Sequence, residues 1–302
     1  MKENKELPDW DRIDGIISEE KRKKLNDSSV VMIGLGSLGG EIARLLSMTG
    51  VGNFILIDPD KLSASNVVRH VNGLRGIGKY KVELVKQHIL NERNPKAKVQ
   101  AFATDARNHS ELVSAGNLSI ISGLGSESAQ SLISENIRQA GGSTLVAEVF
   151  ERGEGGRVYL IEPGNHPCYS CFSSFLSTAN VELTTQNRVV YGVPEDQISG
   201  IPALAVDINR IATIAAEYAL RILLDKTFHE NPRVNLLYFA NKKIPVSKLK
   251  NGQTFYLGPL EAQWYVVPKN PDCKICRTTP PESDLTLTQL MNSVGGGDNN
   301  DS

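Results

Sequence analysis

The stretch VVMIGLGSLGGEIARLLSMTGVGNFILIDPD, residues 30–60, decides the fold. Its first four residues are an unbroken apolar run, read as a short buried strand, and Gly34-Leu35-Gly36-Ser37-Leu38-Gly39 follows without a gap. Residues 41–48 then read as a helix and residues 54–57 (FILI) as a second, parallel strand. Strand, glycine turn, helix and strand in that order form the mononucleotide-binding unit. The glycines let the backbone approach a phosphate at the helix N-terminus, where free N–H groups and the helix dipole favour anions. Asp58, nineteen residues past Gly39 at the end of the second strand, is placed to accept hydrogen bonds from ribose hydroxyls. A lone GxGxxG run is a weak signal and can be a tight turn that binds nothing. Strand, helix and acid in register make it a nucleotide site.

Outward from this unit the alternation continues. Residues 81–91 carry apolar side chains at 82, 85, 89 and 90, a helical stripe that Asn94-Pro95 stops. Residues 98–103, 118–122 and 144–149 read as further strands, with a helix over 130–140. The repetition predicts an α/β fold: a Rossmann-like, doubly wound, largely parallel sheet with helices on both faces. Past Gly153 the pattern loosens into a strand at 157–161, the run HPCYSC, and a polar stretch over 173–200 with little periodicity. A long helix over 202–225 carries Ala212, Ala215, Ala216 and Ala219, small residues that permit close packing in a core or at a dimer interface. Short strands at 234–239 and 264–267 make the C-terminal part mixed. Ahead of the glycine unit, residues 1–27 are charged; Ile13, Ile16 and Ile17 at helical spacing, then the helix-prone 19–25, predict a lead-in helix. The main domain then spans 28–280, and the polar run 281–302, ending GGGDNNDS, has the composition of a disordered tail.

With 40% hydrophobic and 22% charged residues in 302, the chain has the make-up of an ordinary soluble protein with a sizeable core. A formal net charge of −1 gives no ground for nucleic acid or an anionic membrane as partner. No run of 18 apolar residues occurs, and the start MKENKELPDWDR has no apolar signal region, so a cytoplasmic location is the default. The four cysteines fall in two pairs, Cys168/Cys171 and Cys273/Cys276. Cys-x-x-Cys spacing in a cytosolic chain points to metal or redox chemistry rather than to a disulfide scaffold.

A nicotinamide-dependent oxidoreductase would satisfy the glycine unit, but it needs a proton-transfer residue, and none of the five histidines sits in a context that marks it for that role. The residues after Asp58 favour a triphosphate. DPDKLSASNVVRH supplies Asp60, then Asn66 and Arg69 three residues apart, and Lys81 stands twelve residues further on at the head of a helix. A polyphosphate needs cations on its outer groups, whereas a dinucleotide's two phosphates are served by the glycine turn alone. One Lys or Arg by itself reads as a solvated surface charge. Arg69 and Lys81 together suit a nucleotide whose pyrophosphate must leave.

The runs GLGSLG, DPD, SNVVR, GKYKVE, CYSC and CKIC, in that order, resemble the superfamily of ubiquitin-activating enzymes and the related ThiF, MoeB and MccB adenylyltransferases, over roughly residues 9–278. The resemblance implies ATP-dependent adenylation of the C-terminal glycine carboxylate of a ubiquitin-like or sulfur-carrier protein, or of a peptide, with release of pyrophosphate. By that likeness Gly34, Gly36, Gly39, Asp58 and Asp60 would bind the nucleotide, Asn66 and Arg69 its phosphates, and Lys81 the α-phosphate. Arg12, in Trp10-Asp11-Arg12, would reach into the partner subunit's site, which implies a homodimer. Cys168, Cys171, Cys273 and Cys276 match the family's structural zinc, a closed tetrahedron stapling segments 101 residues apart (172–272). A thioredoxin-like redox role is disfavoured because neither pair is expected to precede a helix in a βαβ unit.

Two departures from the family pattern shape the functional expectation. Residues 173–200 contain no cysteine for a thioester, so the chain is expected to stop at the adenylate. After the strand SIIS the family usually has a magnesium-holding aspartate; here the run is Ser122-Gly123-Leu124-Gly125-Ser126-Glu127. Glu127 could stand in, or magnesium would be held by ATP and water. A different class of reading is therefore a catalytically impaired scaffold or regulatory partner that binds nucleotide or a ubiquitin-like protein. Residues 173–200 and 240–270, by their irregularity, are the expected docking surfaces.

Overall fold

A computed structural model gives the fold and describes residues 12–13, 15–124, 126–178, 202–225, 234–248 and 253–276. The tail 281–302, Trp10 and most of the polar stretch up to residue 200 lie outside the described residues.

In chain order the elements are α1 (Glu19–Asp27), β1 (Ser29–Ile33), α2 (Ser37–Met48), β2 (Asn53–Ile57), α3 (Lys81–His88), β3 (Lys98–Phe102), α4 (Ser110–Val113) and β4 (Leu118–Ser122). Then come α5 (Glu127–Gln139), β5 (Thr144–Val149), β6 (Gly155–Ile161), α6 (Tyr169–Thr178) and α7 (Ala205–Asp225). The last strands are β7 (Leu236–Ala240), β8 (Ile244–Lys248), β9 (Thr254–Leu257) and β10 (Ala262–Tyr265). Among the described residues the main sheet has eight strands in the order β10-β7-β6-β5-β4-β1-β2-β3. β3, β2, β1, β4 and β5 run parallel. β6, β7 and β10 extend the sheet in antiparallel fashion, the mixed C-terminal part that the sequence predicts.

Both faces are covered because successive strand residues point to opposite sides. Val30 and Met32 of β1 join the cluster with Ile42 and Leu46 of α2, Val82 and Val85 of α3 and the alanines of α7. Val31 and Ile33 face the other way, toward Val113, Ile133, Ile137 and Phe172 of α4, α5 and α6. Ala212, Ala215, Ala216 and Ala219 are all buried and α7 lies along α2, so the small-residue stripe serves the core.

Local chemistry moves several boundaries. Ile16 N–H and Ile17 N–H donate to the Ile13 carbonyl in a turn ahead of the lead-in helix: Gly15 takes φ +89°, and the Ser18 side chain accepts from Lys21 N–H and starts α1 there. Ile17 packs on the core, while Ile16 is 82% exposed. The helix expected over 41–48 begins at Ser37, directly from the glycine turn. The helix expected over 130–140 begins at Glu127, because Ser126 caps it through Ala129 N–H. Residues 173–178, expected to be irregular, continue α6. The β8–β9 hairpin was not foreseen, its register being shifted between Pro245 and Ser247.

Candidate functional site

In the order 3-2-1-4-5 the chain leaves β1 toward β2 on one side and returns to β4 on the other, which opens a crevice at the C-terminal ends of β1 and β4. The glycine turn fills one wall of that crevice. Its three glycines are required for three different reasons. Gly34 adopts φ +86°, and a Cβ on it would stand 2.1 Å from the Ser122 carbonyl oxygen. A Cβ on Gly39 would meet the Gly34 carbonyl oxygen at 2.0 Å and Ser122 Oγ at 2.2 Å, so Gly39 lets α2 pack tightly on the strand ends. Gly36 caps α2 with ordinary φ, and nothing lies within 4 Å of where its Cβ would be. The space that a side chain there would occupy is open at a helix N-terminus, as a phosphate site requires.

Side chains from three strands and loops hold the turn. Ser122 Oγ donates to the Gly34 carbonyl at 2.9 Å. Asp58, only 5% exposed, accepts from Leu35 N–H at 2.6 Å through Oδ2 and from Asp60 N–H at 2.8 Å through Oδ1. Burial pushes the Asp58 carboxyl above its ordinary range, and the charge of Lys81 with the two N–H donors opposes that push. Asp58 therefore shapes the loop as well as standing at the expected ribose position.

The segment between β2 and α3 loops out and returns to its origin. Lys61 bridges Tyr80, Leu62 N–H donates to the Lys79 carbonyl at 2.9 Å, and Lys81 N–H donates to the Asp60 carbonyl at 2.9 Å. This closure carries Lys81 back across 21 positions to Asp60, whose Oδ2 accepts from Nζ at 2.8 Å. The Lys81 side chain is 6% exposed and that of Asp60 is 44% exposed. Within the loop the Asn66 carbonyl accepts from Arg69 N–H at 3.0 Å and from His70 N–H at 2.9 Å, a helical turn that brings Arg69, half-buried, next to His70. Asn66 Oδ1 accepts from Ser63 N–H at 3.4 Å.

His70 is not among the residues that the motifs mark. It is buried, with Nε2 2.8 Å from the Leu35 carbonyl oxygen and Nδ1 accepting from Asn72 N–H at 3.1 Å. Burial lowers its pKa below the ordinary histidine value, and the charge of Lys81 acts in the same direction. No local signal marks it, because its partner lies 35 residues away.

Two other expected residues lie apart from this group. Arg12 is exposed in the turn before α1. Glu127 sits in the first turn of α5, and its carboxylate accepts from Ser173 Oγ of α6. Among the described residues the group of three or more His, Cys, Asp or Glu side chains close enough to share a metal is the four cysteines.

The cysteines do meet. Cys168 Sγ lies 3.6 Å from Cys273 Sγ and 3.9 Å from Cys171 Sγ, and Cys171 Sγ lies 3.6 Å from Cys276 Sγ. All four sulfurs lie within 4.8 Å of one another and are buried. A tetrahedron with Zn–S bonds of about 2.3 Å has S···S edges of about 3.8 Å, so this donor set fits zinc in a closed site. Backbone N–H groups point at the sulfurs, Asn270 to Cys171 at 3.4 Å and Cys276 to Cys273 at 3.5 Å. Burial raises the Cys273 thiol, but the N–H groups of Cys276 and Ile275 together with hydrogen bonds from the Cys168 and Cys171 side chains bring it down to about 7. The first pair sits at the start of α6 and opens that helix, Cys171 N–H and Phe172 N–H both donating back to the Cys168 carbonyl. The preceding strand β6 is antiparallel to β5 and β7, so the surroundings are not the βαβ unit of a redox motif.

A model of the ThiF family matches residues 11–254. The chain is 27% identical to the Candida albicans adenylyltransferase and sulfurtransferase UBA4 over 197 residues, covering 65% of this chain and 44% of that protein. It is 24% identical to ubiquitin-like modifier-activating enzyme 5 of Xenopus laevis over 182 residues, covering 56% of this chain and 46% of that one. The chain thus spans about half the length of the curated relatives it matches. Among solved structures, Escherichia coli MccB with ATP superposes with a TM-score of 0.62 at 18% identity, covering 85% of this chain and 68% of MccB. At that identity the likeness is one of fold.

Proposed function

This chain belongs to the ThiF family, and on that premise we propose that it is an ATP-dependent adenylyltransferase acting on a C-terminal glycine carboxylate. The carboxylate oxygen attacks the α-phosphorus of ATP, the bond from that phosphorus to the bridging oxygen breaks, and pyrophosphate leaves with the electron pair. A carboxylate is already ionised at neutral pH, so no general base is needed. The work is positioning and stabilisation of charge on the transferring group. Gly34, Gly36 and Gly39 seat the phosphates, Asp58 and Asp60 border the nucleoside, Asn66 and Arg69 bind the outer phosphates, and Lys81 stabilises the α-phosphate.

One observation carries the reading. Lys81 is buried yet charged, held by Asp60 at the rim of the glycine turn, close enough to act on both Asp58 and His70. Burying an ammonium is costly, and a core has no use for it; a nucleotide that gains from a desolvated cation does.

The substrate is a ubiquitin-like or sulfur-carrier protein, or a peptide, in keeping with the names of UBA4 and the modifier-activating enzyme and with MccB solved with N-formylated MccA. The four cysteines of this chain converge on one another, which leaves none for a thioester, and the adenylate passes to another nucleophile. Zinc held by Cys168, Cys171, Cys273 and Cys276 supplies a structural crosslink between α6 and the segment after β10. Arg12, exposed ahead of α1, reaches a second copy in a homodimer. The working compartment is the cytoplasm; no helix among the described residues is long and apolar enough to cross a membrane.

A second reading, a nucleotide-binding scaffold or regulatory partner, is favoured by the engagement of Glu127 with Ser173 and by the lack of an aspartate in the run 122–127. One experiment separates the two. Exchange of labelled pyrophosphate into ATP is measured with ubiquitin-like proteins, sulfur-carrier proteins and peptides ending in glycine, and with the same substrates lacking it. The enzyme reading predicts exchange that requires the terminal glycine and vanishes in Arg69→Ala. A folded, zinc-loaded chain that binds ATP and supports no exchange with any of them establishes the scaffold.

A further inference from the structure

We infer that His70 is a positioning residue of the nucleotide site: it holds the Leu35–Gly36 peptide so that the Gly36 N–H faces the phosphate. The inference rests on the nucleotide reading above, and on the planarity of the peptide unit. In a trans peptide the C=O and the following N–H point in opposite directions, so fixing one fixes the other.

The turn contains two such peptides, and both are gripped. The Gly34 carbonyl accepts from Ser122 Oγ at 2.9 Å on one side while Leu35 N–H donates to Asp58 Oδ2 at 2.6 Å on the other. The next peptide presents the Leu35 carbonyl to His70 Nε2 at 2.8 Å. Its N–H, that of Gly36, must then point away from His70. Among the described residues nothing accepts from it, and nothing lies within 4 Å of the Gly36 Cβ position. The imidazole can do this in one tautomer. Nδ1 accepts from Asn72 N–H at 3.1 Å, so the ring proton sits on Nε2 and is donated to Leu35. His70 is 8% exposed, so without it water does not readily replace the bond and the carbonyl is left buried and unpaired. The cheapest relief is to flip the peptide, which turns the Gly36 N–H out of the phosphate position.

Glutamine is the conservative replacement, since its amide can donate to Leu35 and its oxygen can accept from Asn72. Leucine can do neither. The test compares wild type, His70→Gln and His70→Leu in two measurements, amide hydrogen exchange at residues 35–38 without nucleotide, and calorimetric titration with ATP. His70→Leu should exchange faster in the turn and bind ATP about tenfold or more weakly. His70→Gln should return both within about threefold of wild type. Nitrogen chemical shifts of the wild-type ring, which need no variant, should show the Nε2–H tautomer. Wild-type exchange in a folded His70→Leu, or an Nδ1–H tautomer, overturns the inference. If exchange and tautomer behave as stated but no variant, wild type included, binds ATP, the clamp stands and the nucleotide reading falls.

Discussion

Replacing Lys81 by methionine keeps the apolar bulk of the stem and removes the charge, so it separates the cation's chemical role from its packing. Removing one partner of a fully buried ion pair costs about 3–5 kcal/mol, because the other charge is stranded out of water. Here the geometry is asymmetric: the Lys81 side chain is 6% exposed and the stranded Asp60 side chain would be 44% exposed. The desolvated charge is the one deleted, and the one left behind can be hydrated. The stability change should therefore stay within about 1 kcal/mol, the range of exposed pairs, or roughly 3 °C in Tm for a chain of this size. Binding is a different matter. A hydrogen bond from an ammonium to a phosphate contributes about 1.5–3 kcal/mol, so losing it should weaken ATP roughly ten- to 150-fold. Calorimetric titration with ATP, AMP and adenosine checks the assignment. Lys81→Met should lose affinity for ATP and AMP and keep that for adenosine, which has no phosphate. A folded variant with ATP affinity within twofold of wild type, or with an equal loss for adenosine, would remove Lys81 from the phosphate site.

The glycines give a paired prediction. Gly36→Ala should unfold within about 0.5 kcal/mol of wild type, its Cβ position being open, yet bind ATP more weakly because the methyl stands where the phosphate approaches. Gly39→Ala should lose at least about 3 kcal/mol of stability by denaturant melts, since its Cβ meets two oxygens at 2.0 and 2.2 Å. Cys168→Ser should lose zinc, measured by mass spectrometry of the metal against one ion per wild-type chain, and should melt earlier; a stable, zinc-free variant with full activity would remove the metal assignment. The pH dependence of stability should carry a His70 contribution. Its folded pKa lies below the ordinary 6.5, so the contribution is complete above 6.5 and is lost as pH falls through the folded value, by up to about 1.4 kcal/mol per pH unit. Lys81 is the charge acting on the ring, with Asp60 paired to it, Asp58 across Leu35, and uncharged Gly40 presented by α2. Because Asp58 and His88 titrate with shifts of their own, the quantity to measure is the stability difference between wild type and His70→Gln, which should be independent of pH above 6.5 and move against wild type as pH falls below it.

The features legible along the chain are those that repeat in it. Unbroken apolar runs at 30–33 and 54–57, and the largely apolar segments 118–122 and 144–149, dictated buried parallel strands, and the glycine spacing dictated a turn between strand and helix. The nucleotide-facing acid and cations were legible because the chemistry needs those residue types in that order. Local capping was less legible. Ser18 and Ser126 started their helices where a periodicity count did not, and residues 173–178 wound on as helix from the Cys168 turn despite their polar composition. Contacts between distant positions were not legible at all. That Asp58 and His70 grip the same residue from its two sides, that Ser122 braces Gly34, and that Glu127 turns to Ser173 are facts of chain crossing at the sheet's edge. A sequence records which groups exist and how they alternate. Only the packed sheet decides which of them meet, because a hydrogen bond depends on separation in space and is indifferent to separation along the chain.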